Sequence, residues 1–296
     1  MPDLPNIQLV HYAIPFFVVL LLLEVGVGAY ERKDWYDGKD TAGSLTMGIG
    51  NVLAGFAVKF VQVAALFFVY RYRLFEIGSA WYVWLLLFFL DDFTAYWNHR
   101  ISHESRFFWA SHVVHHSSKR YNLGTALRQT WTTIITSNGV FWLWLPLLGF
   151  HPLMIVILGS VNLIYQFWIH TEAIGKLWRP IEYVFNTPSH HRVHHSSDLK
   201  YLDRNHGNIL IIWDRLFGTF QEEEEQPRYG LVHDIDSHNP LVIATHEWRD
   251  LLRDQWQPLT LRERLLYVFG PPGYSHDGSR QTTREMRAAQ GGAEEQ

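Results

Sequence analysis

Histidine at helical spacing is the first chemistry this sequence offers. His112-Val-Val-His115-His116-Ser-Ser and His191-Arg-Val-His194-His195-Ser-Ser, about eighty residues apart, share the pattern H-x-V-H-H-S-S. In an α-helix, positions i, i+3 and i+4 fall on one face, so each stretch can direct three imidazoles toward a single point. Neutral imidazole is the commonest protein ligand for a transition metal. His99-Arg-Ile-Ser-His103 precedes the first stretch and adds two rings at i and i+4. These eight histidines are too many for one ion and suit two. A lone histidine is ordinarily a hydrogen-bonded core or surface residue; three clusters at helical spacing are poorly explained that way.

Composition narrows the chemistry further. The chain has 296 residues, 17 histidines and no cysteine, which excludes disulfides, thiolate zinc sites and iron–sulfur clusters. Any metal therefore rests on nitrogen and oxygen. A formal net charge of −4 with no strongly basic run argues against nucleic acid as a partner.

The elements that must carry these residues read as membrane spans. Long apolar runs fill roughly the first 175 residues, and the remainder is largely polar. Spans are expected at about 7–30, 45–70, 80–99, 132–148 and 152–169, since a bilayer core of roughly 30 Å takes about 20 residues. The first run is read as a retained span and not a signal peptide, because no Lys or Arg precedes Arg32. Arg32, Lys33, Lys39, Arg100, Arg106, Lys119, Arg120, Lys176 and Arg179 all follow odd-numbered spans, and only Arg71 and Arg73 fall on the opposite side. That bias places the N-terminus outside and every histidine cluster at the cytoplasmic face. The expected fold is an all-α integral membrane protein. A bundle of about four to five transmembrane helices carries a cytosolic helical cap, at about 175–270, that holds a histidine-rich dimetal site. Residues 1–274 form the membrane domain, and 275–296 read as a disordered polar tail.

Individual residues take provisional roles. Asp92, Tyr96, His99 and His103 follow one another at helical steps, so Asp92 is expected to orient a ligand imidazole through its other ring nitrogen. The alternative for Asp92 is pairing with a basic group elsewhere in the bundle. Glu104 abuts His103 and could ligate, orient, or be an ordinary interfacial acid. His170, at the cytoplasmic end of the last span, is a ninth candidate ligand. His190 points about 100° away from His191 and qualifies only if the helix starts or bends there. Asn205 to Phe220 reads as an amphipathic helix ending at Gly218 that roofs the site, with His206 a weak candidate ligand. His11, His151, His233, His238, His246 and His276 lack clustered partners and read as structural or solvated.

With HxxxH, HxxHH and a later HxxHH in this order, the chain resembles the fatty acid hydroxylase and sterol desaturase superfamily of membrane non-haem di-iron enzymes, from about Asp91 to Phe220. Within it the chain looks most like the alkylglycerol monooxygenase family, on Asn122-Leu-Gly-Thr-Ala-Leu-Arg-Gln, His170-Thr-Glu-Ala-Ile-Gly-Lys, Phe185-Asn-Thr-Pro-Ser-His-His-Arg-Val-His-His and Trp213-Asp-Arg-Leu-Phe-Gly-Thr-Phe. Where such relatives often carry tyrosine, this chain has His206. The resemblance implies metal ligation by His99, His103, His112, His115, His116, His191, His194 and His195, with His170, and with His190 a further possibility. It also matches Glu104 to an acid found beside the first cluster.

The resemblance implies O2-dependent hydroxylation of a lipid C–H bond at two iron ions. An alkylglycerol-type ether lipid is the leading substrate, and a sterol or fatty acid hydroxylase or desaturase is the alternative. Zinc, which binds a nitrogen site more tightly than ferrous iron, can replace iron on purification. Two electrons per O2 must come from an external donor, since the sequence shows no haem motif and no credible dinucleotide fold. The family likeness makes that donor a tetrahydropterin; other superfamily members imply a small electron-transfer protein. A membrane metal transporter is the rival of a different class, disfavoured because the histidines gather at one face and not at the midplane of repeated halves.

Overall fold

The computed structural model describes residues 9–294. Ile7 and Gln8, at the start of the first expected span, and Glu295 and Gln296, at the end of the expected tail, lie outside the described residues. Thirteen α-helices form among the described residues, where β pairing is limited to two isolated bridges, Phe185 with Leu210 and Ser196 with Tyr229.

The apolar run at the start gives α1 (Leu9–Tyr30). Asp37 caps α2 (Gly38–Tyr70), its carboxylate accepting from the Lys39 and Asp40 amides at 3.0 and 2.9 Å. α3 (Trp81–Glu104) stops at Ser105, whose extended backbone turns the chain so that α4 (Arg106–His116) folds back along it. Two short helices follow, α5 (Thr133–Thr136) and α6 (Trp144–Leu148), and then α7 (Pro152–Trp168), which opens with Pro152 in its first turn. The cap comprises α8 (Arg179–Val184), α9 (Pro188–His194), α10 (Ile212–Phe217), α11 (Pro240–Asp254), α12 (Leu261–Phe269) and α13 (Thr283–Glu294).

The bundle is apolar on its outside as well as within. Leu66, Val83, Leu87, Leu145, Phe150 and Met154 form a buried core. Phe16, Leu53, Phe56, Phe60 and Trp81 are nevertheless each more than two-thirds exposed. Contiguous exposed apolar surface of this kind marks a face that meets lipid or another protein. By length and apolar composition one helix, over Tyr12–Tyr30, is sufficient to cross a membrane, or two if the halves of α2, bent by 43° between Phe56 and Val58, count as one span.

The expected span at 132–148 is not a continuous helix. Trp131 Nε1 donates to the Met47 carbonyl at 2.9 Å, a Cβ on Gly139 would lie 2.8 Å from Gln62, and the Leu74 amide donates to the Leu147 carbonyl at 2.8 Å. The segment thus runs alongside α2 for most of its length as short helical pieces. Thr132, Thr133, Ser137, Asn138 and Gly139 are weak helix formers, and irregular backbone at membrane depth is tolerated where protein covers it. Trp142 Nε1 and Asn162 Nδ2 donate to the buried Asp91 carboxylate at 2.8 and 2.7 Å, tying this segment and α7 to α3.

The segment read as a disordered tail also differs from expectation. Thr282 and Glu285 form a reciprocal cap, the Thr282 amide donating to Glu285 Oε2 at 2.8 Å and the Glu285 amide to Thr282 Oγ1 at 3.3 Å, and α13 follows. Arg280 pairs with Asp254 at 2.7 Å, and Arg287 donates to the Leu199 and Leu202 carbonyls. Its polar composition concealed a cap and two anchoring arginines.

Candidate metal centre

Four elements deliver the clustered histidines to one place. The last turns of α3 bring His99 and His103, α4 brings His112, His115 and His116, the chain just past α7 brings His170, and α9 with its C-cap brings His191, His194 and His195. They sort into two groups, His99, His103, His112, His116 and His194 in one and His115, His170, His191 and His195 in the other, with ligand atoms all within 4.8 Å of one another in each group.

Neither triplet aims its three rings at a single point, contrary to the expectation from spacing. His112 and His116 serve the five-membered group while His115 serves the four-membered one; His191 and His195 serve the four-membered group while His194 crosses to the five-membered one. The reason is angular. Positions i and i+4 differ by about 40° around a helix, whereas i+3 and i+4 differ by about 100°. Two points placed side by side therefore receive two rings and one ring from each triplet. The motifs interlock where the His116 and His195 rings stack at 4.4 Å.

The ring nitrogens suit a cation. Nε2 atoms face one another at 3.0 Å between His99 and His112, 3.2 Å between His112 and His116, 3.1 Å between His115 and His170, 3.0 Å between His170 and His191, and 3.2 Å between His191 and His195. Ligands held at about 2.1 Å around one ion in tetrahedral or octahedral array are about 3.0 to 3.4 Å apart. The outward nitrogens fix the tautomer. His99 Nδ1–H donates to the His206 carbonyl at 2.9 Å, His115 to that of Arg128 at 3.3 Å, His170 to that of Gln166 at 2.6 Å and His194 to that of Arg204 at 2.9 Å. His103 Nδ1–H donates to the Asp203 carboxylate at 3.3 Å. Each Nε2 is then a bare lone pair turned inward. Those of His103 and His194 are buried with no hydrogen-bond partner, a costly state that a bound cation relieves. Burial, then mutual repulsion among the rings, holds His112, His116, His191, His194, His195 and His115 well below the ordinary histidine pKa, and burial pushes His170 down to about 4. Neutral rings are what ligation requires.

Three expected site residues lie elsewhere. His190 is buried outside both groups, its Nε2 2.9 Å from Glu182 and its Nδ1 3.4 Å from Thr187 Oγ1, because one step along α9 turns it away from His191. Glu104 is half exposed and pairs with Arg100 at 2.7 Å, one turn earlier on the outer face of α3. Asp92 orients no imidazole directly. It accepts from the Ile209 and Leu210 amides at 2.8 and 3.1 Å and from Trp213 Nε1 at 2.9 Å. It thereby pins the roof strap whose Arg204 and His206 carbonyls hold His194 and His99. The strap itself is helical only over α10; residues 205–211 form a loop, and Gly218 at φ 74° ends α10. Asp214 secures that loop by accepting from the His206 and Gly207 amides at 2.7 and 2.6 Å.

Sequence reasoning passed over several supports. Asp203 behind His103 carried no spacing signal. Arg128 is buried, donating to Ser117 Oγ at 2.9 Å and Asp40 at 3.3 Å while its carbonyl holds His115. Tyr121 donates to the Ile169 carbonyl at 2.9 Å and lies against His170 and His195. His206, expected only as a weak candidate ligand, joins neither group, although its buried ring lies 5.0 Å from that of His103.

Residues 84–219 match the fatty acid hydroxylase family model. All nine gathered histidines fall inside the matched fatty acid hydroxylase segment. Over 277 residues the chain is 38% identical to alkylglycerol monooxygenase of Homo sapiens, covering 90% of this chain and 60% of that protein. The enzyme of the same name from Danio rerio is 38% identical over 271 residues, again 90% and 60%. An ornithine lipid hydroxylase of Rhizobium tropici is 31% identical over 131 residues, 44% of this chain and 39% of that protein. The chain thus spans about three-fifths of the length of the first two relatives. No solved structure matches.

Proposed function

We propose that this chain is a fatty acid hydroxylase, a membrane-embedded di-iron monooxygenase that hydroxylates a lipid C–H bond, with an alkylglycerol-type ether lipid as its leading substrate. The observation that carries the reading is the division of nine buried or half-buried histidines into two groups, each with its ligand atoms within 4.8 Å. The names of the relatives, two alkylglycerol monooxygenases and a lipid hydroxylase, support the substrate class.

Two iron ions would be held by His99, His103, His112, His116 and His194 and by His115, His170, His191 and His195, and would supply the reductive activation of O2. The chain's own residues do the positioning. Backbone carbonyls of Gln166, Arg128, Arg204 and His206 and the Asp203 carboxylate fix the rings. The reaction balances as one O2, two electrons and two protons in, with one oxygen inserted into the C–H bond and the other released as water. At a carbon next to an ether oxygen the product is a hemiacetal, which separates into an aldehyde and a free alcohol. The electrons come from outside the chain, with a tetrahydropterin as the leading donor.

In the bilayer, α1, α2, α3, the broken segment at 133–148 and α7 make five crossings, with the N-terminus outside and the histidines at the cytoplasmic face. The distribution of Lys and Arg supports this orientation.

The test supplies ferrous iron, a tetrahydropterin and an alkylglycerol to the purified chain and looks for aldehyde. Aldehyde formation that disappears in His194→Ala is the expected result. Oxidation of a sterol or fatty acid in place of the ether lipid would overturn the substrate, and absence of any O2-dependent lipid oxidation would overturn the reading.

A further inference from the structure

A cavity of about 870 Å³ lies over the five-histidine group, with His103, His116 and His194 in its wall. That size falls within the ordinary range of small-molecule sites, about 300 to 1,000 Å³. Every lining residue belongs to the last turn of α3, to α4, or to the chain from His194 onward, so the cavity is built by the polar cap against the site. Charged residues are prominent in its wall, among them Arg106, Asp203, Glu247 and Arg280. This suits a water-soluble molecule better than an alkyl chain, whose burial against charges gains little.

One group in the wall awaits a partner. His246 is 6% exposed; its Nδ1–H donates to the Ile243 carbonyl at 3.0 Å, and its Nε2 is buried with no partner. With the proton on Nδ1, Nε2 is an acceptor that needs an N–H or O–H from a ligand. Nearby Arg106 is already occupied, donating to Glu247 at 2.6 Å and Asp254 at 2.5 Å. The wall is completed by Thr283 and Met286 of α13, so the C-terminal segment has a place in the site.

We propose that this cavity is the docking site of the electron donor, a small reduced nitrogen heterocycle that enters from the aqueous side and donates an N–H or O–H to His246 Nε2. The inference rests on the monooxygenase reading, which requires two electrons and two protons per O2 and finds no redox group in the chain. The donor is oxidised by two electrons and releases two protons, O2 is the acceptor, and the donor leaves by the same mouth. Of the two histidine groups, a ligand here reaches the five-membered one alone, through His103, His116 and His194, which leaves the lipid a separate approach from the bilayer.

The experiment measures binding without turnover. Metal-loaded full-length protein in lipid nanodiscs, kept free of O2, is titrated with a tetrahydropterin and, separately, with an alkylglycerol. His246→Leu should weaken pterin binding by about tenfold, the value of one lost hydrogen bond, and Met286→Trp, which fills the cavity from α13, should block it. Alkylglycerol binding should change less than about twofold in both, well under the effect of one hydrogen bond. Wild-type pterin affinity in both variants would overturn the proposal, as would a loss of lipid binding in place of pterin binding. A wild-type chain that binds pterin through His246 yet oxidises no lipid would support the site while overturning the monooxygenase reading.

Discussion

The five-histidine and four-histidine groups share the rings of the same two motifs and differ in the histidines added to them and in what surrounds them. The first takes His99 and His103 from α3, has three rings in the wall of the cavity, and leaves His103 and His194 Nε2 without partners. The second is enclosed: His115, His170, His191 and His195 are all buried and linked ring to ring at 3.0 to 3.2 Å, with Tyr121 laid against two of them. A repeated sequence pattern therefore contributes to one histidine group that borders a cavity and one that is enclosed. The difference arises from what flanks the motifs, α3 and the polar cap on one side and the end of α7 on the other.

The largest test of that contrast removes one ring from each group. His115→Ala leaves three ligands in the enclosed group and should reduce bound metal from two ions per chain toward one, with activity falling to background. His103→Ala leaves four ligands, so both ions should remain. Its activity should nevertheless fall to background, as in His194→Ala, because a ligand of the same group is lost. Metal analysis after gel filtration, together with product formation, reads both. Equal loss of metal from the two variants would show that the groups do not act as separate centres.

A smaller effect should follow from the support behind the enclosed group. Arg128→Met leaves Asp40 buried with Ser118 as its remaining partner at 2.5 Å. Breaking a buried ion pair from one side costs about 3 to 5 kcal/mol, which thermal melting would register. Because the Arg128 carbonyl holds His115, the same variant should weaken metal at the enclosed group by more than at the open one. A competitive chelator titration resolves the two steps.

Much of the gathering of histidines was legible because helical spacing is local. His99, His103, both triplets and His170 at the end of its helix all reach the site from sequence reading alone. The division of each triplet was not legible, since it depends on two points lying side by side between α4 and α9. Asp92 illustrates a second limit. Its helical stripe with His99 was real, but a stripe does not say what stands opposite, and the roof strap proved to be its partner. Span 132–148 failed for a related reason: hydropathy measures what lipid tolerates, whereas the Thr, Ser, Asn and Gly residues there decide whether the backbone stays helical. Asp203 had no spacing signal, since His103, the ring it holds, is a hundred residues away, and His246 had none because the cavity wall it joins is assembled from separate parts of the chain.

Acidification offers a gentler probe. In the folded chain, burial and neighbouring rings depress the histidine pKa values below 6.5, and that of His170 to about 4. The unfolded chain therefore binds more protons than the folded chain just below pH 6.5. Stability of the metal-free protein should be full above that pH and fall progressively toward pH 4. Metal affinity, in contrast, should change by less than about threefold between pH 7.5 and 6.5, because no ligand proton has to be displaced there. Chemical denaturation and zinc titration across this window check the two halves. A steep loss of affinity already at pH 6.5 would mean that the rings are less buried than the structure has them.

The smallest expected effect concerns His190, the one histidine of the second cluster that joins neither group. Its Nε2 lies 2.9 Å from Glu182, which also accepts from the Leu177 amide at 2.7 Å, so the ring fastens α9 to α8 and not to metal. His190→Gln keeps a donor near Glu182 and should lower stability by about 1 kcal/mol, the usual value of one altered hydrogen bond. Bound metal should stay at two ions per chain, and lipid oxidation should stay within a few-fold of wild type. Were His190→Gln to lose an ion as His115→Ala does, the enclosed group would hold a fifth ligand, and the contrast between a four-ring and a five-ring centre would disappear.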